Sequence, residues 1–197
     1  EMVIRDWSSD VCSSDLYSVL RGLTLKMPNA RLTKFNNFNI TTRVTARSAN
    51  STFIVSDIDI GKPRINRAEY MRLSAIQDEY IESHQMVRID GCIAEATDLR
   101  TPCCLYIEAA NANIAAMQKQ LYFACEPTTQ PLFKIIFTPN LPVSGFPDQR
   151  LVMVDLDTYT TRIFGSDYFG ESKKGGLRMW NKLVFDRGGL ALHAVCK

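Results

Sequence analysis

The sequence has no run of apolar residues approaching the eighteen or more that a membrane-spanning helix requires. It has no Cys-x-x-Cys pair, which removes the usual signature of a zinc site or a dithiol redox centre. Histidine is scarce, with two residues in 197. No internal repeat is present, and no low-complexity tract beyond the first sixteen residues. A basic stripe is also missing. The 23 Lys and Arg stand against 21 Asp and Glu, and the aromatics do not interleave with the scattered cations, so nucleic-acid binding is not expected. What remains has ordinary globular composition, 46% hydrophobic and 22% charged with ten Gly and eight Pro. That suffices for a buried core in one domain or in part of a larger one.

Residues 1–16, EMVIRDWSSDVCSSDL, stand apart. They lack the apolar h-region and the small-residue cleavage site of a signal peptide. The string DWSSDVCSSDL from Asp6 to Leu16 matches, residue for residue, one reading frame of a common sequencing-library adapter. We therefore expect residues 1–16 to be an adapter-derived, disordered extension and 17–197 to form the folding body; a Ser/Asp-rich disordered tail is the alternative. Setting the segment aside removes Glu1, Asp6, Asp10 and Asp15 against Arg5 alone, which leaves 22 basic and 17 acidic residues, a net of +5. An excess of that size suits an anionic small-molecule ligand or a merely solvated surface.

Apart from Cys12, the cysteines are Cys92, Cys103, Cys104, Cys125 and Cys196. Their number is odd, and the adjacent pair lies in an apolar run. They read as buried, reduced thiols in a cytoplasmic protein.

Strand-like and helix-like segments alternate along the body. Short β-branched or alternating runs predict strands near 51–55, 86–93, 103–109, 133–137, 151–156 and 161–164. Helices are expected over 66–83, where Asn66 and Glu69 have capping-box spacing, and over 111–123, where Ile114, Met117 and Leu121 share a face. A last helix is expected over 177–186, ending at Gly188-Gly189, with an extended stretch over 190–195. The fold class is α/β, with a mixed sheet and flanking helices.

One constellation carries chemistry: Tyr168-Phe169-Gly170-Glu171-Ser172-Lys173-Lys174-Gly175-Gly176, followed by His193. Read as a loop, it sets two adjacent lysines at the mouth of a Gly-Gly turn, before the exposed N–H groups of the next helix. That arrangement favours a phosphate or carboxylate. Neighbouring cations depress one another's pKa, and a lysine made neutral this way can ligate a metal. Taken singly, His193 reads as a core histidine and the lysines as a solvated loop.

Their spacing changes that reading. The segment resembles phosphoenolpyruvate carboxykinase of the ATP-dependent type, which has a Tyr-x-Gly-Glu-x-Lys-Lys-Gly loop, a helix with a Met-x-Asn-like stretch, then Gly-x-x-x-x-His. Here Met179, Trp180, Asn181 and Leu183 fill the helix, Gly188 precedes His193 by five residues, and His193 follows Lys174 by nineteen. Ala46-Arg47-Ser48 with Phe53-Ile54-Val55 is similar to the family's Gly-Arg-Ser-Pro-Lys-Asp-Lys-Phe-Ile-Val segment. Asp90-Gly91-Cys92 with Arg100 is similar to its Asp-x-x-Cys-Gly…Thr-Arg stretch.

The resemblance implies roles. Arg47 would bind a carboxylate of oxaloacetate or phosphoenolpyruvate, and Tyr168 the same substrate. Lys173 would sit on the transferring phosphoryl group. Lys174 and His193 would ligate Mn2+ or Mg2+, with ATP as the phosphoryl donor of the complete enzyme. There are departures. Ala49-Asn50-Ser51-Thr52 replaces Pro-Lys-Asp-Lys, and Ala194-Val195-Cys196-Lys197 follows His193 where the family continues Cys-Ser-Ala-Asn. The family's Gly-x-x-x-x-Gly-Lys-Thr loop and Asp metal ligand, which come shortly after the histidine, have no counterpart before Lys197. The expectation is an N-terminal carboxykinase domain truncated before its phosphate-binding loop. A carboxykinase-like protein with another substrate, or a non-catalytic anion- or metabolite-binding module, are the alternatives. These 197 residues alone are expected to show no turnover in a carboxykinase assay, since in-line transfer needs a positioned nucleotide.

Overall fold

The computed structural model describes residues 13–126 and 130–192. Its frame is a seven-stranded mixed sheet. The strands are β3 (Thr52–Val55), β4 (Arg64–Ile65), β5 (Met86–Ile93), β6 (Thr101–Glu108), β7 (Phe133–Thr138), β8 (Leu151–Asp155) and β9 (Thr160–Phe164). They lie in the order β4-β3-β8-β9-β7-β6-β5. Pairing is antiparallel at β8–β9 and β6–β5 and parallel elsewhere. Two short strands, β1 (Ala30–Leu32) and β2 (Phe38–Ile40), form a separate antiparallel ribbon.

Helices cover both faces, so the central strands are buried on either side and read as continuous apolar runs. In β8, Leu151 and Met153 pack toward α2 (Arg67–Glu82), against Tyr70 and Leu73, while Val152 and Val154 join the opposite core. That second core gathers Leu20 of α1 (Ser13–Leu25), Ile114 of α3 (Ala112–Leu121) and Met179 of α4 (Gly170–Asp186) around Ile135 and Phe137. The α/β expectation with a mixed sheet and flanking helices therefore holds.

Local chemistry explains most boundaries. The Asn66 side chain accepts the Glu69 N–H at 2.8 Å and starts α2. Gly188, at φ +77°, ends α4: its N–H reaches the Phe185 carbonyl, and the Gly189 N–H reaches that of Val184, both at 2.9 Å. The boundary drawn at Leu16 falls inside α1, and residues 1–12 lie outside the described residues.

Four local expectations need correction. In α3 the buried positions are Ala112, Ile114, Ala115 and Gln118, whereas Met117 and Leu121 are exposed. The helix turns its small residues to the sheet, and position 118 rather than 117 continues the inner face. The last helix begins at Gly170, not near 177, so Lys173, Lys174, Gly175 and Gly176 are helical. A Cβ on Gly175 would stand 3.0 Å from Thr161 Cγ2, and one on Gly176 2.8 Å from Ile93 Cδ1. The glycines serve close approach of helix to sheet and make no turn. Residues 190–192 adopt neither helix nor strand, and 193–195 lie outside the described residues. Finally, Cys92 and Cys125 form a disulfide while Cys103 and Cys104 stay free and buried. An antiparallel bridge between Cys92 and Phe123 brings the chain after α3 alongside β5, leaving the two Cα atoms 5.5 Å apart.

Arg67 ties α2 to the end of β8 through the fully buried Asp155, and reaches Asp157 at 2.8 Å. Burial alone would push Asp155 up, but hydrogen bonds from Arg67 and Thr158 and the Arg67 charge hold it below the ordinary carboxylate range. A carboxyl with a depressed folded-state pKa stabilises fully above its unfolded value of about 4 and loses that contribution as pH falls through the lower folded value. Urea unfolding should therefore show wild-type stability dropping below about pH 4, with a shallower drop for Asp155→Asn. Arg67→Ala, which strands a buried charge, should cost about 3 kcal/mol at pH 7.

Candidate functional site

β9 ends at Phe164, and Gly165 turns the chain toward α4 with φ +67°. A Cβ there would lie 2.6 Å from the Gln149 carbonyl oxygen, so both conformation and space select glycine. Ser166, Asp167, Tyr168 and Phe169 lead into the helix, and the Glu171 N–H closes the first turn on the Tyr168 carbonyl at 3.0 Å. The Tyr168 ring lies against Gly170, where a Cβ would meet its Cζ at 2.8 Å.

Two carboxylates at the start of α4 hold a distant loop. Asp167, 5% exposed, accepts the Arg43 N–H at 2.8 Å and the Val44 N–H at 2.9 Å. The Arg43 guanidinium adds an ion pair to Asp167 at 3.4 Å. Glu171, fully buried, accepts the Ser48 N–H through Oε1. The irregular stretch 43–48 is thus fastened at both ends, with exposed Arg47 one residue from the second fastening. Charge-assisted acceptance of backbone N–H groups is among the stronger ways to order a loop.

Glu171, Lys174 and Arg178 follow one another at helical spacing on α4 and share a face. The Arg178 guanidinium approaches Glu171 Oε2 at 3.9 Å. Burial lowers the Arg178 pKa first of all; the Glu171 charge opposes that, and the nearby Arg47 charge adds to it. Arg47 is therefore within electrostatic reach of this face. Lys173 is exposed and Lys174 half-buried, and neither ammonium has a hydrogen-bonding partner among the described residues. Tyr168 lies elsewhere around the helix start. It lines a cavity of about 620 Å³ together with Asp167, Thr42, Arg21, Phe38 and Met117. His193 lies outside the described residues. Among the described residues no group of three or more His, Cys, Asp and Glu side chains is placed to hold a metal ion.

The arrangement joins two segments more than a hundred residues apart, the Arg47 loop and the lysine-bearing helix, which are two of the three segments that resemble a carboxykinase. The family model for phosphoenolpyruvate carboxykinase matches residues 10–197. This chain belongs to the phosphoenolpyruvate carboxykinase family. A curated relative, phosphoenolpyruvate carboxykinase (ATP) of Brevibacillus brevis, is 25% identical over 174 residues, covering 78% of this chain. The chain spans 32% of that relative's length.

In this member of the family the sequence motifs mark Arg47, Tyr168, Lys173 and Lys174 but assign no role to Asp167, Glu171 or Arg178. Reading Gly175-Gly176 as helical would have put Arg178 one turn beyond Lys174. The Asp167 contacts have no signature in local sequence, since their partners lie 123 and 124 residues away. Asp167→Ala leaves the buried Val44 N–H without its acceptor. We expect a loss of about 2–3 kcal/mol in urea unfolding, and faster tryptic cleavage after Arg43 and Arg47.

Proposed function

We propose that the chain supplies the oxoacid- and metal-holding part of an ATP-type phosphoenolpyruvate carboxykinase, which converts oxaloacetate and ATP to phosphoenolpyruvate, CO2 and ADP. The observation that supports this most is the fastening of the Arg47 loop onto the helix that bears Lys173 and Lys174. A guanidinium carried on a fastened loop beside a lysine-bearing helix suits a substrate with a carboxylate at one end and a phosphoryl group arriving at the other.

The residues divide the work as follows. Arg47 pairs with a substrate carboxylate, and Tyr168 contacts the same molecule. Breaking the C–C bond of oxaloacetate releases CO2 and leaves its electron pair as an enolate, which the cationic cluster stabilises. The enolate oxygen then attacks the γ-phosphorus of ATP, and ADP departs with the bridging oxygen. Lys173 neutralises charge on the phosphoryl group in transit. Two ammonium groups near the positive end of a helix disfavour the empty site, so an anion bound there relieves a standing electrostatic cost.

A divalent ion, Mn2+ or Mg2+, belongs with this reading. Half-buried Lys174, without a partner among the described residues, fits as a nitrogen donor, and His193 would be its companion. When bound, the ion supplies positive charge to the enolate and phosphoryl oxygens. A place in gluconeogenesis and a cytoplasmic location go with the same reading. No helix among the described residues is long and apolar enough to cross a membrane.

Calorimetric titration tests the assignment. Arg47→Ala should weaken phosphoenolpyruvate binding by about tenfold, the loss of one charge-assisted contact. Lys174→Ala should abolish Mn2+ binding monitored by electron paramagnetic resonance. Unchanged Mn2+ affinity would favour a non-catalytic anion-binding module instead.

A further inference from the structure

Most arginines that α2 and the sheet enclose spend their charge internally. Arg162 grips Asp78 with two nitrogens, at 2.7 and 3.1 Å, and Arg67 is held by Asp155 and Asp157. Arg178 differs. Its side chain is 26% exposed, and its one ionic neighbour among the described residues, Glu171 Oε2, stands 3.9 Å from Nη2, beyond hydrogen-bonding distance. Arg178 Nη1 and Glu171 Oε2 are both buried without a hydrogen-bond partner. The other Glu171 oxygen is already committed to the Ser48 N–H. Arg178 therefore faces a buried carboxylate with a single free oxygen while the Arg47 charge lies within electrostatic reach, and the site keeps a surplus positive charge in a partly desolvated place. Lys174, one helical turn before Arg178, adds a second.

A desolvated, incompletely paired guanidinium is costly to maintain. A ligand that brings a flat, two-oxygen anionic group offsets that cost, because the planar fork of arginine matches it at two points. We propose that Arg178 is a second substrate-contacting arginine, which together with Arg47 grips one carboxylate or phosphoryl group of the ligand. Glu171 is the positioning residue between them: it fixes the loop through Ser48 and holds Arg178 in place without quenching it. The assignment rests on the reading that Arg47 contacts the substrate. It adds a determinant on α4 that sets which anions fit.

Calorimetry on the 197-residue chain with phosphoenolpyruvate, oxalate and inorganic phosphate as separate probes tests this. Arg178→Met should weaken phosphoenolpyruvate binding by about tenfold, and Arg178→Lys by less, since charge is kept and the fork is lost. Oxalate falling in parallel assigns the grip to a carboxylate; phosphate falling in parallel assigns it to the phosphoryl group. In a double-mutant cycle, Arg47→Ala with Arg178→Met should lose less than the sum of the single losses, because both arginines hold one group. If Arg47→Ala weakens binding and Arg178→Met does not, Arg178 is structural and the proposal is overturned while the substrate role of Arg47 stands. If neither weakens binding, the Arg47 reading itself fails. Should Arg178→Met not fold, Arg178→Lys gives the resonance assignment for a wild-type experiment. The side-chain Nε–Hε signal of Arg178 should shift on titration with phosphoenolpyruvate, and a stationary signal would overturn the proposal.

Discussion

Acceptance of backbone N–H groups by two buried carboxylates is the constraint on which the site depends. The stretch 43–48 has no regular structure to hold it, and an arginine on such a stretch would ordinarily sample solvent. Asp167 and Glu171 remove that freedom by satisfying the N–H groups of Arg43, Val44 and Ser48 from the start of α4. Each carboxylate in turn needs those donors, because a buried charge with no hydrogen bond is costly. Loop and helix start are therefore one unit. Whatever moves α4 moves Arg47.

The placement of α4 has its own origin in what the sequence leaves out. Gly175 and Gly176 have no side chains where Thr161 and Ile93 press in, so the helix backbone settles close on the sheet. Close seating leaves room beneath the 43–48 loop for Glu171 to be fully buried and for Arg178 to be mostly enclosed. The electrostatics of the site thus depend on how closely the helix sits on the sheet. Elsewhere charges are consumed as soon as they are buried, as with Arg67 and Asp155 or Arg162 and Asp78. Around α4, Arg178 keeps no hydrogen-bonded carboxylate of its own among the described residues, and the proposed ligand contacts draw on that surplus.

Much of this frame was legible from sequence because its signals are local. The short apolar runs over 86–93 and 133–137, the Asn66–Glu69 cap and the Gly188-Gly189 stop each depend on neighbours within a few residues, and they match β5, β7, the start of α2 and the end of α4. The misreadings occurred where distant partners decide. Gly-Gly is a turn signal in isolation and a packing signal once a strand lies against it. The inner face of α3 is set by which residues the sheet and α1 accept, not by which are most apolar. The Cys92–Cys125 link arises because residues 122–125 run beside β5, a pairing that nothing in the spacing of the cysteines announces. At the site, Arg47 and the lysines were visible through motif, whereas Asp167 was not, and Glu171 stood in the motif without its loop-holding role.

The pairing of β3 with β8 sets Thr52 beside Val152, and the fastening of the 43–48 loop spans a similar distance along the chain. During synthesis on the ribosome, β3 and the Arg47 loop emerge long before their partners exist. Helix α2 can form early from its own cap, but the strand before it must wait as an unsatisfied edge until β8 and then α4 have been made. Contacts of such long sequence separation close slowly and leave apolar edges open to wrong pairings meanwhile. The nascent chain should therefore be most exposed to aggregation between the emergence of β3 and that of β8 and α4, and chaperone demand should peak in that interval.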